Sequence, residues 1–114
     1  MKIEKFEDIL AWQKSKELTL YVYRLYRNNK DYGLRDQIQR SSVSIMNNIA
    51  EGFVRNGNKE LGRFLYIAKA SCGELRSMLY LANELNHISK SEFETAYDLS
   101  VQISKMLSGF IKTL

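Results

Sequence analysis

The sequence contains no proline, and this constrains the possible folds more than any other feature. Proline interrupts helices because it lacks an N–H donor and its ring clashes with the preceding turn. Glycine, which also weakens helices, occurs only 6 times in 114 residues. Long uninterrupted helices are therefore possible throughout the chain, and the composition favours an all-α fold.

Hydrophobic periodicity divides the chain into four helical segments. Apolar residues recur at steps of three and four, which marks one buried face of a helix. The predicted helices cover about Ile9–Asn28, Leu34–Arg55, Leu61–Leu85 and a fourth segment that follows the cap signals of residues 89–94. Short connections of about four to six residues join antiparallel neighbours. The sequence therefore predicts a single domain over residues 1–114, an antiparallel up-down-up-down four-helix bundle.

The same pattern gives specific positions that a structure can test. Asp8 is the predicted cap of the first helix, and Gly73 predicts a close helix crossing, since glycine is costly inside a helix. Two overlapping capping boxes, at Ser89 and Ser91, precede the fourth helix. Tyr21, Tyr23 and Tyr26 are predicted on the flanks of the first helix, basic residues among them. The predicted core includes Cys72, Leu75, Leu85 and Leu114.

The second predicted helix has an unusual inner face. Its stripe mixes isoleucine with small and polar residues: Leu34, Ile38, Ser41, Ile45, Asn48, Ile49 and Gly52. Such residues allow a second backbone to approach closely, or place amides where they need partners. A wholly polar stripe runs beside it: Arg40, Ser44, Asn47 and Glu51.

Charge is uneven along the chain. Residues 1–63 carry 12 Lys and Arg against 8 Asp and Glu, whereas residues 64–114 carry 5 of each, so the net charge of +4 belongs to the first part. This bias suits nucleic acid or another acidic partner, and equally a soluble surface with no such role. The candidate nucleic-acid contacts are Lys14, Arg24, Arg27, Arg55, Lys59 and Arg63.

Nothing in the sequence indicates secretion or a membrane span. Residues 1–9 are charged and lack the apolar core of a signal peptide, and no segment is long and apolar enough to cross a bilayer. The single cysteine cannot form an internal disulfide. We therefore expect a cytoplasmic protein.

Enzyme chemistry has little support in the residues. Glu84 and His87 match one Glu-x-x-His element of a di-iron bundle, but the chain has a single histidine, and such a site needs two elements. We therefore expect no metal, no cofactor and a solvated His87 near the end of a helix. Cys72 reads as an inert buried thiol. We interpret Glu51 as an ion-pair partner of an arginine or a member of an amide network, within a subunit or across an interface.

Several motifs resemble the four-helix-bundle family named for proteins encoded in 23S rRNA intervening sequences. The most specific are Tyr32-Gly33-Leu34, Gln37-Ile38-Gln39-Arg40, Ser44-Ile45 and Asn48-Ile49-Ala50-Glu51-Gly52. Further matches are Phe6, Leu10, Trp12 and Gln13 in the opening segment, and Phe64-Leu65, Ile67-Ala68, Ser71 and Glu74-Leu75 in the third helix. The resemblance covers essentially the whole chain.

This resemblance implies a ring-shaped homopentamer without enzymatic activity. A related branch, the accessory variability proteins of diversity-generating retroelements, binds nucleic acid and a reverse transcriptase through a basic surface. By analogy with that branch, we expect an oligomer that binds RNA or DNA. The alternative is an oligomeric scaffold for another protein with no nucleic-acid binding. Convergence of the six basic residues on one face or rim of the assembly would favour the first, and their dispersal would favour the second.

Overall fold

The computed structural model describes residues 2–114, so Met1, the first residue of the charged leading segment, lies outside the described residues. Within that range the chain forms four α-helices and no strand. They are α1 (Leu10–Tyr26), α2 (Tyr32–Val54), α3 (Asn58–Glu84) and α4 (Lys90–Lys112). The predicted all-α fold is confirmed, and the helix ends differ from the predicted ones by one to three residues. None of these helices is long and apolar enough to span a bilayer.

The helices pack side by side with alternating direction. Each packs against its neighbours in sequence, and α1 also packs against α4. Between α2 and α3, Ser44 contacts Ser71 while Gly52 lies against Phe64, so the two helices run antiparallel. The same reversal relates α3 to α4, at the pairs Gly62–Leu114, Cys72–Ser100 and Tyr80–Phe93. The resulting bundle is 43 Å long.

All four helices contribute to one apolar core. Cys72 and Leu75 have no exposed surface, which confirms their predicted burial. In α2 the buried positions are Ile38, Ser42, Ile45, Ile49 and Gly52. Ser42 therefore takes the fully buried place that the periodicity assigned to Ser41, which is half-buried. The predicted core was wrong at Leu85, which continues the exposed side of α3 that carries Leu81, and at Leu114, which follows the end of α4; both are exposed.

The start of α1 differs from the prediction. Asp8 does not cap this helix, because it lies in a short 3-10 turn, Phe6–Asp8, that precedes it. Ile9 occupies the cap position without a side-chain hydrogen bond. The turn is held by the Gln13 amide, which donates to the carbonyl of Glu7 at 2.8 Å, and by edge-on packing of Phe6 on the ring of Trp12.

The other helix starts follow local capping chemistry. Oδ1 of Asp31 accepts a hydrogen bond from the N–H of Leu34 and so caps α2. At α4 the structure selects the first of the two predicted capping boxes: the Ser89 hydroxyl accepts from the Glu92 N–H, and the Glu92 carboxylate accepts from the Ser89 N–H. Ser91 is an exposed residue of the first turn.

The end of α3 positions His87. Asn86 adopts a left-handed conformation with φ of 59°, and the N–H of His87 donates to the carbonyl of Ala82, a Schellman arrangement. The imidazole then points at Tyr26, whose side chain is buried. The predictions of a flanking Tyr26 and a solvated His87 were therefore wrong.

Two helices approach each other closely at Gly52. A Cβ there would lie 2.7 Å from Cβ of Phe64, so only glycine fits where α2 meets α3. No crossing occurs at Gly73, contrary to the prediction, because a Cβ there would meet only the guanidinium of Arg76, at 3.9 Å. The predicted close approach thus belongs to the inner stripe of α2.

Candidate nucleic-acid interface

The polar motif residues of α2 lie along the seam with α3. The hydroxyls of Ser44 and Ser71 are 2.8 Å apart, and Nδ2 of Asn48 donates to the Ser44 carbonyl at 2.8 Å and to its hydroxyl at 3.0 Å. These three side chains are therefore linked by hydrogen bonds within the subunit. Together with the glycine contact at Gly52, they set the spacing of α2 and α3.

Further along the seam between α2 and α3 lies a cleft of about 440 Å³. Its lining residues come from α2 and α3: Gln37, Arg40, Ser41, Glu74, Ser77 and Met78. Arg40 and Glu74 have opposite charges, yet neither forms an ion pair among residues 2–114. Both charged groups are exposed and so remain available to another molecule.

Exposed apolar side chains continue this surface along the outside of α3. Ile67, Leu81 and Leu85 are 38%, 47% and 48% exposed, and their spacing places them on the side of α3 that also carries Glu74. We call the cleft and these three residues the α2–α3 face. Apolar area rimmed by polar groups is typical of a protein contact surface.

The remaining motif residues have local roles. Tyr32 is exposed, and the Arg35 guanidinium lies 4.7 Å from the centre of its ring. Gly33 is sterically undemanding, since a Cβ there would meet only Asp31, at 3.9 Å. Glu51 pairs with Arg55 at 2.9 Å, so its arginine partner is on the following turn.

The six candidate basic residues occupy three separate places. Arg24 and Arg27 line a hollow between α1 and α2. Lys14 pairs with Glu17 at 3.6 Å, beside α4. The other three lie at the opposite end of the bundle from Arg27, around the connection between α2 and α3: Arg55, Lys59 and Arg63. The structure therefore does not unite the six on one surface of the subunit.

Arg55, Lys59 and Arg63 form what we call the connection cluster. The guanidinium groups of Arg55 and Arg63 lie 5.1 and 5.2 Å from the centre of the same Phe64 ring. Glu51 and Glu60 pair with these two arginines. Both ion pairs are exposed, so phosphate groups can compete for the guanidiniums.

A basic surface that the sequence analysis missed lies between α3 and α4. Arg76, Lys105 and Lys112 line a groove of about 550 Å³ with Ser104, Ser108 and Tyr97. Helical spacing could have revealed this surface, because residues 97, 101, 105, 108 and 112 share one side of α4. Counting charges along residues 64–114 concealed it, because acidic residues of the same segment cancelled the sum.

The groups considered for catalysis are engaged in packing. Burial raises the pKa of the Cys72 thiol, although nearby Arg76 opposes the shift. A thiol held in its neutral form is a poor nucleophile. His87 is hydrogen-bonded to Tyr26, and among residues 2–114 no group of three or more His, Cys, Asp and Glu is arranged to hold a metal.

Comparison with known proteins agrees with this architecture. A similar solved structure is the crystal structure of a protein of unknown function from the S23 ribosomal protein family of Bacteroides thetaiotaomicron. It is 27% identical, with a TM-score of 0.86 over 90% of this chain and 99% of that chain. None of the curated proteins matches this sequence. The family model of the 23S rRNA-intervening sequence protein matches residues 7–109, and the chain therefore belongs to that family.

Proposed function

We propose that this protein is a non-enzymatic, cytoplasmic homo-oligomer whose subunits associate through the α2–α3 face and whose assembly binds nucleic acid. The observation that carries the proposal is the composition of that face. It combines a cleft containing two charged groups without ion-pair partners, Arg40 and Glu74, with the exposed apolar side chains of α3. Interfaces typically combine such an apolar centre with a polar surround.

A second copy of the chain is the occupant that best explains this face. The hydroxyl of Ser44 and Nδ2 of Asn48 have hydrogen-bond partners within the subunit, so these groups do not need a second subunit. Arg40 and Glu74, in contrast, can each meet an opposite charge on a neighbouring subunit. A closed ring requires the α2–α3 face of one subunit to contact a different surface of the next. The family resemblance implies five subunits.

Substitution at Leu81 tests this association. Leu81→Lys places a charge in the apolar part of the face, and we expect it to lower the mass measured by light scattering. Val54→Lys is the matched control: Val54 is 68% exposed, but it lies at the end of the bundle, so the mass should not change. An oligomer of unchanged mass in Leu81→Lys would contradict the proposed interface.

Dispersal of the six basic residues on the subunit favours the scaffold alternative, so the nucleic-acid part of the proposal rests on the connection cluster and its repetition in an oligomer. Residues 55–63 carry two guanidiniums that lie against one aromatic ring, and an exposed lysine between them in sequence. One subunit offers few phosphate contacts, but an oligomer repeats them, and binding should then strengthen through effective concentration. The affinity should fall steeply with salt, as counterions are released.

Two charge reversals with the same change in charge separate the candidate surfaces. The first is Arg55, Lys59 and Arg63 to Glu, and the second is Lys14, Arg24 and Arg27 to Glu. Labelled single-stranded and duplex DNA and RNA are titrated at low and physiological salt, after the oligomer mass has been checked. We expect the first set to lose binding and the second to retain most of it. No binding by the wild type at low salt would favour the alternative, a scaffold for another protein such as a reverse transcriptase.

A further inference from the structure

The groove between α3 and α4 has the composition of an anion site. Its three cations come from both helices, with Arg76 on α3 and Lys105 and Lys112 on α4. Ser104 and Ser108 of α4 also line the groove, next to Lys105 and between the two lysines respectively, and their hydroxyls add hydrogen-bond donors. The groove has a volume of about 550 Å³ and is open to solvent.

The positive charges in this groove are not neutralised by the protein. Among residues 2–114 no carboxylate lines the groove, and no ion pair involves Arg76, Lys105 or Lys112. Two acidic residues of the same helices lie outside the groove. Glu74 lines the α2–α3 cleft, and Asp98 faces α1. A cluster of positive side chains without nearby negative charges raises the local concentration of anions.

An aromatic group occupies one end of the groove. Tyr97 lines it, and its ring packs against Phe93 at 5.5 Å and Tyr80 at 5.7 Å between centroids. Tyr80 is half-exposed, so this aromatic end is open to solvent. From Tyr97 the cations follow along α4: Lys105 is about 12 Å away along the helix axis, and Lys112 about 10 Å beyond it.

We infer that this groove binds nucleotides, with the base against the aromatic end and the phosphates beside Arg76 and Lys105. Lys112, about 22 Å from Tyr97 along α4, is placed for the phosphate of a following nucleotide in a strand. Arginine and lysine with adjacent hydroxyls suit phosphate oxygens, and a tyrosine face suits any base. An acidic peptide would use the cations but would leave the aromatic end without a role. The nucleotide can be free or part of a single strand, since both present the same base and phosphate. This site is separate from the connection cluster and goes beyond the proposed function.

The test uses the full-length protein, fluorescent ADP and a labelled short oligothymidylate at low salt. Neutralisation of the groove in Lys105→Gln with Lys112→Gln should weaken binding by about tenfold or more, because charged hydrogen bonds to phosphate are lost. For the strand, the slope of log affinity against log salt should shrink by roughly 1.4, since two phosphate contacts disappear. The control is Lys16→Gln with Lys30→Gln, two exposed lysines of α1 and the following connection, which should bind like the wild type.

The outcomes separate the sources of the nucleotide and the two surfaces. Binding of fluorescent ADP that the groove substitutions weaken identifies a free-nucleotide site, and the same result with oligothymidylate alone identifies a strand-binding groove. The inference is overturned if neither probe binds, or if both double variants weaken binding equally. It is also overturned if inorganic phosphate competes as well as ADP. Loss of strand binding only in the connection-cluster variant would support the proposed function and would rule out the groove as a nucleotide-binding site.

Discussion

The hydroxyl of Tyr26 lies 3.0 Å from Nδ1 of His87, and this hydrogen bond joins the end of α1 to the connection between α3 and α4. On the other side of the imidazole, Nε2 lies 3.8 Å from Oδ2 of Asp31, whose second oxygen caps α2. One side chain thus ties together the ends of three elements that are distant in sequence. These two contacts also explain why the imidazole of His87, the single histidine of the chain, is not simply surrounded by solvent.

Removal of the Tyr26 hydroxyl tests the strength of this link. Tyr26→Phe keeps the buried ring but leaves Nδ1 of His87 without its partner, so the free energy of unfolding should fall by about 1 kcal/mol. Urea denaturation measures the change. Tyr23→Phe is the control, because Tyr23 is exposed and should be nearly neutral. Equal stability of the two variants would show that the hydrogen bond contributes nothing.

The same tyrosine predicts a loss of stability at alkaline pH. Burial, with a contribution from Asp31, raises the pKa of Tyr26 to about 12. In the unfolded chain a tyrosine loses its proton near pH 10, so between those values the folded state holds the proton more tightly. The contribution of Tyr26 is therefore complete below pH 10 and is lost as the pH rises toward about 12. Tyr26→Phe should have a flatter stability profile over that interval, and a profile parallel to that of the wild type would refute this.

Two glycine substitutions should change stability in opposite directions. Gly52→Ala places a Cβ 2.7 Å from Cβ of Phe64 and should cost about 1–3 kcal/mol, because α2 and α3 must move apart. Gly109→Ala adds a Cβ that meets nothing within 4 Å on a helical residue of α4, and it should stabilise by up to about 1 kcal/mol. Thermal unfolding of both variants checks the pair. A stabilised Gly52→Ala would contradict the close approach of the helices.

Substitutions at Ser89 and Ser91 show which of the two predicted capping boxes stabilises the start of α4. Ser89→Ala removes the side-chain acceptor of the capping box at α4 and should cost about 1 kcal/mol. Ser91→Ala leaves the cap intact, and its side chain is exposed, so the free energy of unfolding should barely change. Chemical denaturation of the two variants measures both values. The reverse order would place the helix start two residues later.

The elements that the sequence predicted well are those that depend on local pattern. Helices of 17 to 27 residues repeat their apolar spacing many times, so their existence and their buried faces were clear. Cys72 and Leu75 fell in the middle of such a pattern and are buried as expected. Gly52 belonged to a stripe predicted to allow a close approach of another backbone, and its contact with Phe64 is such an approach.

The features that were missed depend on contacts between distant residues. Tyr26 and His87 are 61 positions apart, and no periodicity within one helix reveals their hydrogen bond. The basic groove was hidden for a related reason. Arg76 and Lys105 come from different helices, and the fold separates them from the acidic residues that cancel their charge in a sum over the sequence. Asp8 was misassigned because a 3-10 turn competed with the cap.

The central claim is that the protein assembles through the α2–α3 face, and the molar mass in solution tests it most directly. Light scattering coupled to gel filtration at micromolar concentration should give five times the 13.3 kDa mass of the chain. The mass of a single chain under those conditions would contradict the account, since the exposed apolar residues of α3 and the charges of Arg40 and Glu74 would then face solvent in the native protein.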